Sequence, residues 1–360
     1  MDNKTALIFG CTGMDGSHLS DMLCDKGYNV IGVKRRSSTN TTQNLTYALN
    51  QPNFTLIEGD ICDPSSVNNI ISIYKPHECY LMAAQSHVAT SFNQPSYTFQ
   101  VNAVGPLYVL EAIRLYSPAT RLVQASTSEM FGNNYSTTKK WNGMIPAYDI
   151  RDIIDDEDYT VTEKFQDENT SLSPNSPYAV AKVATHHLIR VYREAYGLHC
   201  SAAISFNHES SRRGENFVTR KITKWIADNL DNIAYPKFTE NPIEYLKLGN
   251  IDAVRDWGYS PDFCEAFFQI LQQDVPDDYV ICTGESHTVR EFLEEAFTYI
   301  GQDYTRFVQI DQDLYRPNEV PFLCGKYDKI KNKLGWEPKV KFKELVQIMV
   351  DSDIINHNDN

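Results

Sequence analysis

Residues 5–16 read TALIFGCTGMDG, an apolar run that leads directly into a turn with three glycines. A helix-like run at residues 17–26 and a short apolar run at residues 29–33 follow. This order of strand, glycine turn, helix and strand is typical of folds that bind a pyrophosphate at a helix N-terminus. The glycine spacing is GxxGxxG rather than GxGxxG, so the flanking elements carry the assignment. We therefore predict a dinucleotide site here, with a plain glycine-rich turn as the alternative.

The end of the second strand bears on the choice of dinucleotide. A carboxylate about twenty residues after the glycines would bind a ribose 2′-hydroxyl. The chain instead has Lys34, Arg35, Arg36, Ser37 and Ser38 at this place. Two guanidinium groups and two hydroxyls suit a 2′-phosphate. The loop predicts NADP rather than NAD, and a solvated basic loop is the alternative.

Strands and helices continue to alternate up to about residue 205. Strand-like runs lie at residues 54–58, 78–82, 121–125 and 201–205, and helix-like runs at 65–75, 97–115 and 177–196. This alternation predicts an α/β fold with a doubly wound parallel sheet, in which ligands bind at the carboxyl ends of the strands. Asp60 follows one strand and is expected near the adenine, and the small residues at 83–86 are expected along the dinucleotide.

Two regions depart from this rhythm. Residues 133–175 form a long polar connection with an acidic run at 155–158, for which we expect a surface excursion or a lid. After residue 207 the elements are shorter and carry dispersed polar motifs, which indicates a smaller substrate-binding region. We predict an NADP-binding domain at residues 1–206, a mainly substrate-binding domain at 207–350 and a frayed tail at 351–360.

Composition excludes several classes of function. The net charge is −14 with no long basic cluster, so nucleic acid is not an expected partner. No apolar run approaches the roughly 18 residues of a membrane span, and no membrane association is expected. The eight cysteines are scattered and form no CxxC pair, so neither a metal site nor a disulfide framework is predicted. A reducing cytoplasm is the expected location.

The segment SPYAVAK at residues 176–182 suggests acid–base chemistry. Tyr178 and Lys182 are four residues apart, so on a helix their side chains share one face. A cation beside a phenol lowers the pKa of the phenol. We expect Tyr178 to act as a general base for a hydroxyl proton, while an ordinary helix surface is the alternative.

A second chemical function is suggested at residues 126–129, which follow another predicted strand. Thr127 can hydrogen-bond a forming oxyanion. Glu129 can remove a proton alpha to a new ketone. A dehydratase needs such a carboxylate, whereas a simple alcohol dehydrogenase or a 4-epimerase does not. The alternative for Glu129 is a carboxylate that only favours a helix N-terminus.

At this point the chain resembles the extended short-chain dehydrogenases/reductases, and among them the GDP-mannose 4,6-dehydratase family. The resemblance covers most of the chain from about residue 5 to 350 and is carried by GCTGMDGSHL, VKRRSS, AAQSHV, SFNQPSYT, QASTSEMFG, SPYAVAK, FNHESSRRGENFVTRKI, LGNIDAVRDWG, TGESHTVREF and YRPNEV. It implies a Rossmann domain interleaved with a smaller sugar-nucleotide-binding domain. It also implies a lyase that oxidises GDP-mannose at C4, eliminates water across C5 and C6, and returns the hydride to C6.

The resemblance implies site residues position by position. The catalytic set is Thr127, Glu129 and Tyr178, with Lys182 in support. NADP is expected to contact Gly10, Cys11, Thr12, Gly13, Met14, Asp15, Arg35, Arg36, Ser37, Ser38, Asp60, Ile61, Met82, Ala83, Ala84, Gln85, Ser86, Tyr97, Lys182, His208 and Arg213. GDP-mannose is expected to contact Ser86, Asn207, Val218, Lys221, Arg255, Arg316 and Glu319. A homodimer or homotetramer is expected by resemblance alone.

The chain also departs from the family pattern. Ser211 stands where proline is usual, and Asn44 stands near the place of an arginine in the loop where cofactor sites meet across subunits, which puts tetramer assembly in doubt. The connection at 133–175 is longer than in the family. Residues 168–175 differ from the proline- and arginine-rich sequence that family members usually have ahead of the tyrosine. These changes border the expected sugar site.

Other interpretations therefore stay open. The enzyme alternative is a 4,6-dehydratase or 4-epimerase acting on another nucleotide sugar. The alternative of another class is a catalytically idle NADP-binding regulator. His208 can be read as an ordinary polar residue after a strand, and Arg255 and Arg316 as surface ion pairs. Trp257 and Trp336 are expected in the core.

Overall fold

The structure is a computed structural model that describes residues 3–141, 159–234 and 244–358. Seven of its strands assemble into one parallel sheet. The strands are β1 (Thr5–Phe9), β2 (Asn29–Lys34), β3 (Phe54–Glu58), β4 (Glu78–Leu81), β5 (Arg121–Ala125), β6 (Ser136–Trp141), β7 (Tyr159–Phe165), β8 (Cys200–Ser205), β9 (Asn207–Glu209), β10 (Leu246–Leu248), β11 (Val254–Arg255), β12 (Trp257–Tyr259), β13 (Tyr279–Ile281), β14 (His287–Thr288) and β15 (Val308–Ile310). The main sheet has the order β13-β8-β5-β4-β1-β2-β3, with every neighbouring pair parallel.

Helices cover both faces of this sheet. They are α1 (Met14–Asp25), α2 (Pro64–Tyr74), α3 (Val88–Asn93), α4 (Pro95–Phe99), α5 (Gly105–Tyr116), α6 (Pro177–Tyr196), α7 (Val218–Ala234), α8 (Ser260–Leu271), α9 (Val289–Tyr299), α10 (Asp328–Leu334) and α11 (Phe342–Asn358). In β1, Ala6 and Ile8 pack into one core, and Leu7 and Phe9 pack into the other. A strand buried on both faces is apolar throughout, which explains the continuous run that predicted it.

The predicted fold class is confirmed, including its interleaving. β13 comes from the second half of the chain but pairs with β8 at the edge of the main sheet. A separate core lies among α7, α9 and α11, where Trp257 packs against Phe292 and Phe342. Trp336 is also buried, as expected, and donates a hydrogen bond to the carbonyl of Asp262. The domain boundary at residues 206/207 stays a prediction.

The described part of the 133–175 connection forms an antiparallel ribbon. β6 pairs with β7, with Ser136 opposite Phe165. Gln166 ties the base of the ribbon to the later chain, because its N–H donates to the Cys324 carbonyl and its side-chain oxygen accepts from the Cys324 N–H. The acidic run at 155–158 lies outside the described residues, so the excursion or lid stays a prediction.

The expected frayed tail is wrong for residues 351–358, which continue α11. Asp353 is buried there, accepts a hydrogen bond from Thr223 and forms an ion pair with Arg220. Both partners come from α7, more than a hundred residues earlier in the chain, so local sequence carried no sign of them. Among the described residues, no helix is long and apolar enough to cross a membrane.

Candidate active site

The glycine turn lies close to the neighbouring strand end. Gly10 has φ of +83°, and a Cβ on it would lie 2.7 Å from the Cα of Ala83 after β4. A Cβ on Gly16 would lie 2.2 Å from the Gly10 carbonyl oxygen. Side chains are thus excluded at both positions, which lets the turn pack against its own backbone and against the segment after β4. Gly13, exposed at the N-cap of α1, lies where helix N-termini bind pyrophosphates.

The basic residues predicted to select NADP lie exposed after β2. Arg35 donates a 2.6 Å hydrogen bond from Nη1 to the Tyr97 hydroxyl on α4. This contact joins two predicted cofactor residues that are far apart in the sequence. Asp60 instead accepts a hydrogen bond from the Cys62 N–H and shapes its own turn. Ile61 beside it is buried.

The segment after β4 is held by a side chain whose role the sequence did not reveal. The Asn102 side chain accepts from the Gln85 N–H and donates to the Gln85 carbonyl, both at 2.9 Å. Asn102 lies in a π-helical turn, Gln100–Val104, between α4 and α5. Thr185 of α6 donates to its carbonyl at 2.6 Å. Such turns often occur at functional sites, and this one fixes the backbone at 82–86.

Three elements bring the predicted catalytic residues together. Thr127 and Glu129 begin the one-turn helix Ser128–Phe131 after β5, and Tyr178 and Lys182 lie on α6. The Ser176 hydroxyl caps α6 by accepting from the Ala179 N–H at 3.1 Å. All four predicted catalytic side chains are buried. Thr127 lies close enough to the Tyr178 phenol to lower its pKa.

The expected lowering of the Tyr178 pKa is wrong for this structure. Burial raises the pKa of Tyr178 to about 12, although the hydrogen bond with Thr127 opposes this effect. The Lys182 ammonium donates a 2.7 Å hydrogen bond to the Ala125 carbonyl rather than to the Tyr178 hydroxyl. Its Nζ lies 5.9 Å from the centre of the Tyr178 ring. Burial lowers the pKa of Lys182 to about 8. At neutral pH the phenol therefore retains its proton in this structure.

Glu129 belongs to a cluster of four charged residues in which acidic and basic side chains alternate. Arg316 Nη1 is 3.7 Å from a Glu129 carboxylate oxygen and 3.6 Å from one of Glu319. Arg255 is buried and donates a 2.7 Å hydrogen bond to Glu319. Burial lowers the pKa of Arg255, while the negative charge of Glu129 opposes that shift. Three predicted substrate residues therefore lie around the predicted elimination base, and the two arginines are not simple surface pairs.

His208 contacts the glycine turn rather than acting as an ordinary polar residue. Its Nδ1 is 2.7 Å from the Phe206 carbonyl, and its Nε2 is 3.0 Å from Asp15 Oδ2. Both partners accept hydrogen bonds, so both ring nitrogens donate and the ring is an imidazolium. The Asp15 charge raises the pKa of His208 against the effect of burial. The His208 charge and hydrogen bonds from His208 and Ser260 hold the pKa of Asp15 at about 2, although its burial opposes this.

Several other predicted ligand residues have defined contacts or positions in the fold. Arg213 stacks on Phe217 at 3.7 Å and forms an ion pair with buried Glu209. Lys221 donates to the Lys247 carbonyl at 2.7 Å. Of the remaining predicted residues, Asn207 begins β9, Val218 begins α7 and Ser86 is exposed.

Two of the departures from the family pattern, Asn44 and Ser211, lie close to each other near the glycine turn. Asn44 Nδ2 donates to the carbonyls of Thr12 and Arg212, at 3.3 and 3.4 Å. The loop that carries Asn44 therefore folds back onto the glycine turn of its own chain. The Ser211 carbonyl accepts a hydrogen bond from Arg220. Sequence reasoning missed this bond, as well as the roles of Ser260 and Glu209.

The sequence is similar to one family of known proteins over nearly its whole length. A family sequence model described as GDP-mannose 4,6 dehydratase matches residues 7–142 and 157–349. GDP-mannose 4,6 dehydratase 1 from Arabidopsis thaliana is 44% identical over 361 residues, spanning 98% of this chain and 90% of that protein. The Homo sapiens GDP-mannose 4,6 dehydratase is 39% identical over 98% of this chain and 91% of that protein.

The fold also matches solved structures. A dTDP-glucose 4,6-dehydratase from Streptomyces venezuelae, solved with NAD bound, has a TM-score of 0.80 and covers 98% of both chains at 21% identity. At that identity the likeness concerns the fold, which agrees with the parallel sheet and its flanking helices.

Proposed function

The chain belongs to the GDP-mannose 4,6-dehydratase family, and we propose that it converts GDP-α-D-mannose to GDP-4-dehydro-6-deoxy-α-D-mannose and water. The observation that carries this proposal is the proximity of the buried Thr127, Tyr178 and Glu129 side chains, which combine an alcohol-oxidising pair with an additional carboxylate. An oxidation alone would need only the first two residues. Removal of water from C5 and C6 also needs a group that takes the proton at C5.

We propose NADP as the resident cofactor, supported by the tight glycine turn at the N-terminus of α1 and by the two exposed arginines after β2. When bound, NADP accepts a hydride from the sugar and later returns it. Arg35 and Arg36 would hold the 2′-phosphate as charged donors. Tyr97, which already accepts from Arg35, would set the direction of one guanidinium.

The first step assigned to this chain is proton transfer from the 4-hydroxyl. The phenolate form of Tyr178 takes this proton as C4 becomes a carbonyl, and Thr127 donates a hydrogen bond to the new oxygen. Lys182 lies near the ring and would favour the phenolate with its ammonium. Because burial opposes the phenolate, Thr127 and the charge of Arg213, which both lower the pKa of Tyr178, are the chain's own means of making it accessible.

Elimination follows at the neighbouring carbons. The C4 carbonyl acidifies the proton at C5, and Glu129 takes that proton and assists the departure of the C6 hydroxyl as water. After hydride returns to C6, either Tyr178 or Glu129 supplies the proton at C5. Arg316, in contact with Glu129, holds a positive charge beside this carboxylate before substrate binds.

We propose that the nucleotide diphosphate binds along the cluster of Arg255, Arg316 and Glu319, with Asn207, Val218 and Lys221 as further contacts. A diphosphate carries negative charge that suits two guanidinium groups. The inward position of Arg255 and its hydrogen bond to Glu319 support this placement. We further propose a cytoplasmic homodimer or homotetramer, and light scattering of the purified protein tests the assembly.

A 4-epimerase is the second candidate, because it uses the same tyrosine and cofactor. Glu129 favours the dehydratase, since epimerisation at C4 has no use for a base at C5. Replacing Glu129 with glutamine therefore separates the two functions. If the chain is a dehydratase, the variant would still oxidise the sugar at C4 and reduce the nicotinamide, but it would form no 6-deoxy product. The variant of an epimerase would keep its turnover.

The experiment follows the sugar by NMR after mixing the purified protein with GDP-mannose and NADP. A dehydratase converts the C6 hydroxymethyl signal into a C6 methyl signal. Glu129→Gln should abolish the methyl signal while the near-ultraviolet absorbance of reduced nicotinamide still rises. Glu285→Gln, which removes an exposed carboxylate paired with Lys341, is the matched control and should keep turnover. An active Glu129→Gln enzyme would overturn the assigned role.

A further inference from the structure

Residues 208–213 are attached to α1 by three side chains at alternate positions. His208 contacts Asp15 at 3.0 Å, and the Ser210 hydroxyl is 3.0 Å from His18 Nε2. Arg212 donates to Asp21 at 2.6 Å. Alternate residues of the segment thus meet positions 15, 18 and 21 of α1, a spacing of three that follows one helix face. We call residues 208–213 the strap.

The strap is also held through its backbone carbonyls. Arg220 of α7 donates from Nη1 to the carbonyl of Ser211 and, at 3.0 Å, to that of Arg213. The carbonyl between them, that of Arg212, accepts from Asn44. Three consecutive carbonyls are therefore bound by side chains, and two of those bonds come from one guanidinium.

Asp353 of α11 orients that guanidinium. Its Oδ1 is 2.6 Å from Arg220 Nη2, and its Oδ2 accepts from Thr223 at 2.6 Å. The Asp353 side chain is 1% exposed and that of Arg220 is 11% exposed. Burying two charges is costly. The ion pair with Asp353 and the hydrogen bonds from Arg220 to two carbonyls offset part of this cost, while Arg220 Nε has no hydrogen-bond partner. A lysine ammonium lacks the planar fork that reaches all three partners.

The strap in turn acts on the reacting groups. His208 holds Asp15 at the start of α1, and the positive charge of Arg213 lowers the pKa of both Asp15 and Tyr178. A shift of the strap would therefore move charge at the glycine turn and near the phenol together. Neither Arg220 nor Asp353 lies among the predicted ligand or catalytic residues.

We propose that Arg220, oriented by Asp353 of the C-terminal helix, is a positioning residue that sets the strap against the glycine turn and so controls how tightly NADP is held. This inference rests on the proposed NADP site. It gives the C-terminal helix a role in cofactor retention. It also explains why a buried charge pair joins α7 to α11, where an apolar contact would suffice for packing alone.

The test measures release of NADPH from the purified holoenzyme by chasing with excess NADP and following NADPH fluorescence. Arg220→Lys keeps a positive charge beside Asp353 but loses the fork. We expect about tenfold faster NADPH release, as for loss of one well-placed charge-assisted hydrogen bond. Asp353→Asn should act in the same direction.

Two matched variants separate positioning from stability. Thr223→Val removes a bond to Asp353 but leaves the Arg220 fork, and Asp228→Asn breaks the exposed pair with Lys224 on the same helix. We expect Thr223→Val to lower the melting temperature without faster NADPH release, and Asp228→Asn to change neither. The positioning role would be overturned if the NADPH release rate correlated only with the melting temperature across the variants. It would also be overturned if Arg220→Lys released NADPH at the wild-type rate. A wild-type protein without bound NADPH or without turnover would instead contradict the proposed function.

Discussion

Replacing Asp15 with asparagine tests the ion pair that joins the glycine turn to His208. The two side chains are similar in size, so the hydrogen bond from Ser260 can persist while the negative charge is lost. The pKa of Asp15 falls from 3.8 to about 2 in the folded protein. Because one pKa unit corresponds to about 1.36 kcal/mol, the lost stabilisation is about 2.5 kcal/mol as an order of magnitude.

The effect has a defined pH window. The Asp15 pKa is depressed by folding, so its contribution is present above 3.8 and is lost as the pH falls towards about 2. The His208 pKa is raised above 6.5, so its contribution is complete below 6.5 and is lost as the pH rises through the raised value. The stability difference between wild type and Asp15→Asn is therefore largest between these limits and shrinks at alkaline pH.

Thermal unfolding of the cofactor-free proteins at about pH 5.5 and about pH 9 measures this difference. Asp15→Asn should melt several degrees below wild type at the lower pH and closer to it at the higher pH. Asp25→Asn is the matched control, because this α1 carboxylate contacts Tyr47 rather than a histidine. An equal melting difference at both pH values would refute the ion pair as its source.

Two further predictions concern the chemistry and the cofactor. Tyr178→Phe should keep bound NADP but lose at least about 100-fold in turnover, because a general base is removed, and a variant that turns over normally would contradict the role of Tyr178. Below about pH 8, where Lys182 keeps its proton, the wild-type rate should also rise with pH in a rate–pH profile, since burial raises the pKa of Tyr178 to about 12 and the phenolate is the base. Arg35→Ala should reduce the preference for NADP over NAD about tenfold in equilibrium binding, through loss of a charged donor to the 2′-phosphate, and an unchanged ratio would assign selection elsewhere. Lys34→Ala, which removes a cation paired with Glu58, controls for net charge.

The regular elements of the first half could be predicted from the sequence. The run at 5–9 coincides with β1, the run at 121–125 with β5 and the run at 177–196 with α6. Buried strands and capped helices carry their signals in nearby residues, so periodicity and turn residues locate them. The run at 97–115 was predicted as one helix, but a π-helical turn around Asn102 interrupts it, next to the bond from Thr185.

Several residues predicted for the site come together in the structure, but their geometry could not be predicted. Glycines, basic residues and the Tyr178–Lys182 spacing were visible as patterns. The direction of the Lys182 ammonium was not, because its partner is the Ala125 carbonyl on another element. The expected lowering of the Tyr178 pKa failed for that reason and because burial has the larger effect.

The sequence by itself determined the alternation of strands and helices, the glycine turn and the residue types available for oxidation and elimination. These depend on local preferences and on motifs whose residues lie within a few positions of each other. Only the tertiary structure decided that Arg255, Arg316 and Glu319 surround Glu129, and that Asp353 reaches Arg220 behind the strap. Charges act over ångströms in space rather than over positions in a chain. Their partners and the cost of burying them are therefore set only when the elements pack.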